Sequence, residues 1–217
     1  MTRETGITAL FDLDGVLLNT EYLYTGFWTE IGNRYTDVKN LGLKVKGQTL
    51  KHILPVYFGS DPEFWKVISD ALNSFETEMP YEAVPGAMEF LDALKVEGIK
   101  SAIVTSSNNA KMANVYRHFP ELKDKVCRIF PSECFAHSKP DPECFIKSRE
   151  ELGGVPERTA VFEDSIHGLN AGRASGAMVV GLETTNPPEV VEGLSDHHIP
   201  DFTGMTPEIL RQWIDER

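Results

Sequence analysis

Two acidic pairs stand where a folded chain does not place like charges without reason. In FDLDGVLLNTE, residues 11–21, Asp12 and Asp14 follow the apolar run ITAL and so fall where a buried strand should end. Residues i and i+2 of a strand point to the same side, and two carboxylates there repel unless a cation lies between them. In AVFEDSIHG, residues 160–168, a hydrophobic run again ends in acid, at Glu163 and Asp164. A calcium loop starting at Asp12 would need an oxygen ligand, a glycine and a glutamate where Val16, Leu17 and Leu23 stand, so that reading fails.

Two further stretches offer groups of the opposite character. IVTSSNN, residues 103–109, carries Thr105, Ser106 and Ser107 just ahead of a helical pattern, a place whose hydroxyls and backbone N–H groups suit an anionic oxygen. Ser106, Ser107 or Asn108 would serve equally as a plain helix cap. In HSKPDPECF, residues 137–145, Lys139 precedes a proline and is therefore extended or turned at a helix entrance, within reach of a phosphate. Taken singly it is an ordinary solvated lysine; the neighbouring signals raise it above that.

Brought to one sheet edge, these residues supply four carboxylates, one lysine and a set of hydroxyl and amide donors. Oxygen-rich ligation selects Mg²⁺, which keeps several waters and takes one or two carboxylates plus a substrate phosphate. Zinc is disfavoured: the six histidines form no ligand pattern, and His197-His198 lies in a polar stretch read as solvated. Cys127, Cys134 and Cys144 match no zinc spacing and read as core or surface thiols. No Walker loop, H-E-x-x-H or G-x-S-x-G is present.

The elements that must position these residues follow from periodicity. Short β-rich runs at 7–11, 101–105, 126–130, 159–163 and 177–182 alternate with helical patterns, the rhythm of an α/β fold with a parallel sheet covered on both faces. Pro85 is placed to start one of these helices and Gly98 to end it. Between the first two runs, residues 19–82 hold no convincing strand but show helical periodicity at 21–35, 49–58 and 61–79. The expected organisation is a core of residues 1–18 and 83–217 with an all-helical inserted domain of residues 19–82. Tyr22, Phe27, Trp28, Trp65 and Phe75 would form the small core of that insertion.

The chain has 217 residues, 41% hydrophobic and 25% charged, enough for a substantial core. A formal charge of −12 argues against a nucleic-acid backbone or an anionic membrane surface as the partner. No apolar run reaches the ~18 residues of a membrane span, and the first residues lack a long apolar signal region. A cytoplasmic protein is expected, acting as a monomer on a small molecule.

In this order FDLDGVLLNTE, IVTSSNN, SKPDPECF and VFEDSIHGLNAGRASGA resemble the four motifs of the haloacid dehalogenase superfamily, across nearly the whole chain. The insertion after the first motif resembles the members with a helical cap, a group that includes β-phosphoglucomutase and many sugar-phosphate phosphatases. This resemblance implies a Rossmann-like doubly wound core, with Asp12 as the nucleophile that forms an aspartyl-phosphate and Asp14 as general acid and base. It also implies Mg²⁺ held by the Asp12 carboxylate, the Asp14 backbone carbonyl and Asp164, with Glu163 a direct or outlying contributor. Thr105, Ser106 and Lys139 would hold the transferring phosphoryl group.

A true dehalogenase has no leaving alcohol to protonate, so the presence of Asp14 favours phosphoryl transfer. Mutases of the family carry a histidine where an ungapped alignment from Asp14 puts Tyr24, and an arginine soon after a Lys-Gly pair. Here Lys46-Gly47 is followed by QTLKHIL, with no arginine. The expectation is hydrolysis of a small phosphomonoester, of a sugar or polyol phosphate, with phosphosugar mutase and a silent binding module as the alternatives. Lys46 is the first candidate for substrate contact from the insertion, followed by Tyr24 and Gln48.

Overall fold

The computed structural model describes residues 6–217. In chain order its strands are β1 (Thr8–Phe11), β2 (Lys100–Val104), β3 (Arg128–Phe130), β4 (Thr159–Glu163), β5 (Met178–Leu182) and β6 (His197–Ile199). The helices are α1 (Glu21–Tyr35), α2 (Leu41–Lys44), α3 (Leu50–Tyr57), α4 (Pro62–Glu78), α5 (Ala87–Val96), α6 (Asn109–His118), α7 (Leu122–Lys125), α8 (Glu143–Glu151), α9 (Ile166–Ala174), α10 (Pro188–Glu192) and α11 (Pro207–Asp215).

All strand pairs are parallel, in the order β3-β2-β1-β4-β5-β6, a Rossmann-like doubly wound sheet. The apolar strands divide their side chains by a period of two. Phe11, Ile103, Phe162 and Val180 enter one apolar cluster, and Leu10, Ala102, Val104 and Val161 enter the cluster on the other face. Phe11 and Phe162 stack at 4.5 Å, so the two central strands are locked together one residue short of their acidic ends. The chain reverses direction of winding between β1 and β4, the place where open α/β sheets leave a ligand crevice at the strand C-termini.

The helical readings at 21–35, 49–58 and 61–79 become α1, α3 and α4, with α2 added between them. Trp28, Ile31, Leu41, Ile53, Leu54, Ile68 and Leu72 form an apolar cluster of their own, against which Phe27, Trp65 and Phe75 pack. Tyr22 does not join it; it is 58% exposed. The chain leaves the sheet and returns to it side by side: Asn19 N donates to Glu82 O at 2.9 Å and Val84 N to Leu17 O at 3.0 Å.

The His197-His198 stretch, expected to be solvated, leaves His198 exposed and His197 half-buried, but it also forms an element that its pattern did not show. It is a sixth strand, in which His197 stacks flat on Trp213 at 4.2 Å and His198 Nδ1 lies 2.5 Å from Glu183 Oε1. Its polarity hid it, because an edge strand of three residues buries too little to show an apolar pattern. Cys127 and Cys134 are exposed and Cys144 is buried, all three as free thiols. Among the described residues no helix is long and apolar enough to cross a membrane.

Candidate active site

Register places the acidic groups together before any side chain is considered. Phe11 is level with Phe162 across the parallel ladder, and Asp12 N donates to Phe162 O at 3.0 Å, so Asp12 stands beside Glu163 at the two central strand ends. Thr105 follows the neighbouring β2, its N–H donating to Phe130 O at 3.0 Å. Lys139 comes from the loop before α8 and is 3% exposed. Its Nζ reaches Asp12 Oδ1 and Glu163 Oε1, both at 2.6 Å.

The two carboxylates of the second pair have different environments. Glu163 uses Oε1 for Lys139, while its Oε2 accepts from Asp164 N at 2.9 Å, Ser165 N at 3.0 Å and Ser165 Oγ at 3.1 Å. Both oxygens are thus taken by protein donors. Asp164, in contrast, keeps a buried Oδ2 that accepts no hydrogen bond. Burial, then the charges of Glu163, Glu21 and Asp12, hold its carboxyl well above the usual range. Burial likewise pushes Asp12 up to about 7, with Lys139 opposing and Glu163 and Asp14 adding to it. For Lys139 burial acts downward, but the Asp12 and Glu163 carboxylates outweigh it and hold the ammonium above its ordinary value.

Asp14 lines, together with Asp12, a cleft beneath the helical insertion. Its Oδ1 accepts from Thr20 Oγ1 at 2.5 Å and from the Nζ of Lys111, and its Oδ2 from Ser107 Oγ at 2.8 Å. Gly15 then turns the chain with φ +79°, a conformation open to glycine, and a Cβ there would overlap the Asp164 carboxylate. The loop after β5 supports the turn: Thr184 Oγ1 donates to Gly15 O, and Asn186 Nδ2 to Asp164 O at 2.7 Å.

A cation fits here on the structure's own terms. Asp12 and Asp164 crowd one buried corner beside the Asp14 backbone, their carboxyls are raised, and an orphaned oxygen faces the space that Gly15 leaves open. Oxygen donors without thiolate or imidazole suit Mg²⁺.

The insertion roofs the cleft and is pinned to the core at its tip. Ser106 Oγ donates to Gly47 O at 2.8 Å, Thr49 N to Ser138 Oγ at 2.9 Å, and Gln48 Nε2 lies 2.9 Å from His167 Nε2. Gly47 has φ +74°, and a Cβ there would strike Ser165 Oγ. The Ser106 hydroxyl thus holds the roof, and Asn108 is the residue that caps α6, accepting from Lys111 N at 2.9 Å. Lys46 lines the cleft with its Nζ 3.7 Å from Glu21 Oε2. Tyr24 lines it too, donating to Glu76 Oε1 at 2.8 Å.

Sequence reasoning missed Lys111, Glu21 and Glu76, all of which line this cleft. Two of them left a signal. Lys111 shares the inner stripe of α6 with Met112 and Val115, and Glu76 continues the stripe of Ile68 and Leu72 on α4, so each is a charge at an apolar register.

A parallel doubly wound core with an acidic crevice at its switch point and a helical roof defines the class of fold. A family model for haloacid dehalogenase-like hydrolases matches residues 9–182, and the chain belongs to that family. It is 28% identical over 179 residues to a phosphorylated carbohydrates phosphatase of Thermotoga maritima, covering 77% of this chain and 80% of that one. It is 26% identical over 211 residues to a β-phosphoglucomutase of Mycobacterium bovis, covering 81% of this chain and 80% of that one. A crystal structure of a HAD hydrolase of family IA from Entamoeba histolytica shares the fold at a TM-score of 0.81 and 23% identity, covering 96% of this chain and 99% of that one.

Proposed function

We propose that this chain is a Mg²⁺-dependent phosphatase that hydrolyses a small phosphomonoester, of a sugar or polyol, through an aspartyl-phosphate on Asp12. The observation that carries the reading is Asp12 itself, a buried carboxylate against Lys139 at 2.6 Å, at the switch point of the sheet and beneath a helical roof. Residues 19–82 are read as a cap that shields the reaction from water and selects the leaving group.

In this reading an Asp12 oxygen attacks phosphorus and the P–O bond to the leaving alcohol breaks. Asp14 gives the departing oxygen its proton, then takes one from the water that cleaves the aspartyl-phosphate and releases inorganic phosphate. Thr20, Ser107 and Lys111 hold the Asp14 carboxylate toward the cleft for both transfers. Lys139 and Thr105 face the phosphoryl oxygens, with Glu163 fixing the lysine rather than meeting the metal. Bound Mg²⁺, held by Asp12, Asp164 and the Asp14 carbonyl, would neutralise charge on the phosphoryl group.

Charge in the cleft supports hydrolysis over mutase chemistry. Among the described residues that line it, four carboxylates (Asp12, Asp14, Glu21 and Glu76) face two cations, Lys46 and Lys111, and Lys111 is held by Asp14. A second phosphate would meet this excess of acid. The test is phosphate release from p-nitrophenyl phosphate with Mg²⁺. Asp12→Asn should lower it by at least about 10³-fold, as losing a nucleophile does. Retained activity in that variant, or faster isomerisation of a sugar phosphate than phosphate release, would reject the proposal.

A further inference from the structure

Glu76 is placed against three physical preferences at once. It is 4% exposed, it lies in the last turn of α4 where the helix dipole disfavours a negative charge, and its Oε2 is buried without a hydrogen-bond donor. Its other oxygen takes the Tyr24 hydroxyl at 2.8 Å, a bond that a glutamine would accept equally well. An apolar side chain at this register would continue the Ile68 and Leu72 stripe. A buried polar atom without a partner has a reason, and here the atom belongs to a residue lining the cleft that holds Asp14.

The surroundings define what would complete it. Tyr24 connects the two ends of the cleft: its hydroxyl meets Glu76, and Lys111 Nζ, bound to Asp14, lies 4.4 Å from its ring centroid. Glu76 is therefore linked through Tyr24 and Lys111 to the group read as acid and base. Gln48 Oε1 and Glu21 Oε2 are further buried acceptors in the same lining without a donor, the latter 3.7 Å from Lys46 Nζ. Lys111 is paired to Asp14, and the four carboxylates of the lining (Asp12, Asp14, Glu21 and Glu76) outnumber its two lysines, so an added acidic group is disfavoured.

Resting on the phosphatase reading, we propose that Glu76 is the specificity residue of the cleft. It accepts a hydrogen bond from a donor on the leaving alcohol, so the favoured substrate is a monophosphate with at least one further hydroxyl or ammonium and no second acidic group. A hydrogen bond to a charged acceptor discriminates by about 10- to 100-fold, because the analogue that lacks the donor leaves the buried oxygen unpaired.

Three esters of equal carbon count test this: glycerol 1-phosphate, propyl phosphate and 3-phosphoglycerate, compared by kcat/KM with the full chain and Mg²⁺. The wild type should prefer glycerol 1-phosphate to propyl phosphate by about 10- to 100-fold and to 3-phosphoglycerate as well. In Glu76→Ala the glycerol-to-propyl ratio should fall at least about tenfold. In Glu76→Gln, which keeps an acceptor but no charge, 3-phosphoglycerate should gain on glycerol 1-phosphate. Ethanolamine phosphate against ethyl phosphate shows whether an ammonium donor serves as well as a hydroxyl.

A glycerol-to-propyl ratio near one, a ratio unchanged in folded Glu76→Ala, or an equal preference for 3-phosphoglycerate would overturn the inference. If Glu76→Ala does not fold, the acid-to-alcohol ratio in Glu76→Gln decides. Asp12-dependent turnover of p-nitrophenyl phosphate without a hydroxyl preference sinks this inference alone. No turnover of any ester sinks the phosphatase reading with it.

Discussion

Lys139 Nζ lies 2.6 Å from Glu163 Oε1, and the glutamate's remaining oxygen is held by the backbone amides of Asp164 and Ser165. The end of β4 thereby braces a lysine that arrives from a different loop, and the brace aims the ammonium at Asp12. An ammonium buried to this degree is stable only while opposite charge surrounds it.

Removing the brace should expose that dependence. Glu163→Ala is expected to cost about 3 kcal/mol in urea unfolding, the low end for breaking a buried pair, because Asp12 still faces the lysine. Gly168→Ala should act in the same direction, since a Cβ there would overlap the Glu163 carboxylate. Wild-type stability in both variants would show that Glu163 does not brace Lys139.

Mg²⁺ should stabilise the fold. The carboxyls of Asp12 and Asp164 are raised by burial first and by neighbouring carboxylates second, and a bound cation offsets both. At 100 times its Kd, the ion adds about 2.7 kcal/mol, a rise in Tm on the order of 5 to 10 °C for a chain of this length. Scanning calorimetry with and without a chelator reads this directly, and Asp164→Asn should lose most of the shift. An equal shift in that variant would move the metal elsewhere.

Lys111 is not among the groups proposed to hold the phosphoryl oxygens, and yet it controls Asp14. Lys111→Met keeps the stem and removes the ammonium, leaving Thr20 and Ser107 as the donors to Asp14. The expected result is a kcat lower by about 10- to 100-fold with a smaller change in KM, as for a group that positions an acid and base. Steady-state kinetics on the folded variant would refute this with an unchanged kcat.

Glu76 gives a pH dependence whose sign is set by burial. Burial raises its carboxyl above the ordinary 4.5, against Lys111 and the Tyr24 hydroxyl. Between 4.5 and the raised value the folded chain holds more proton at this site than the unfolded chain. The stability Glu76 contributes is complete below 4.5 and is lost as pH rises through the raised value. In metal-free buffer the Tm of the wild type should therefore fall relative to that of Glu76→Gln as pH rises from 4.5 to neutrality. A constant difference across that range would contradict it.

The site was partly legible because some of its chemistry is local. Asp12, Glu163 and Asp164 announce themselves as acids that end apolar strands, and Lys139 as a cation held ahead of a helix by a proline. The insertion was readable from three amphipathic stretches, and α1 coincides with its expected bounds at 21–35. The strand at His197–Ile199 was missed because a short edge strand carries its hydrogen bonds in the backbone and shows nothing in its side chains.

By itself the sequence determined where the central strands β1 and β4 end, the acidic residues at those ends and the helical segment between β1 and β2, since period and residue type are properties of neighbours along the chain. Tertiary structure decided which groups meet. Lys111 finds Asp14 across 97 positions and Tyr24 finds Glu76 across 52. It also decided that Glu163 binds a lysine while Asp164 keeps an oxygen without a donor. Those outcomes depend on how the roof packs on the sheet: the apolar register of Lys111 and Glu76 marks them as buried, but no local pattern records which partner each one meets.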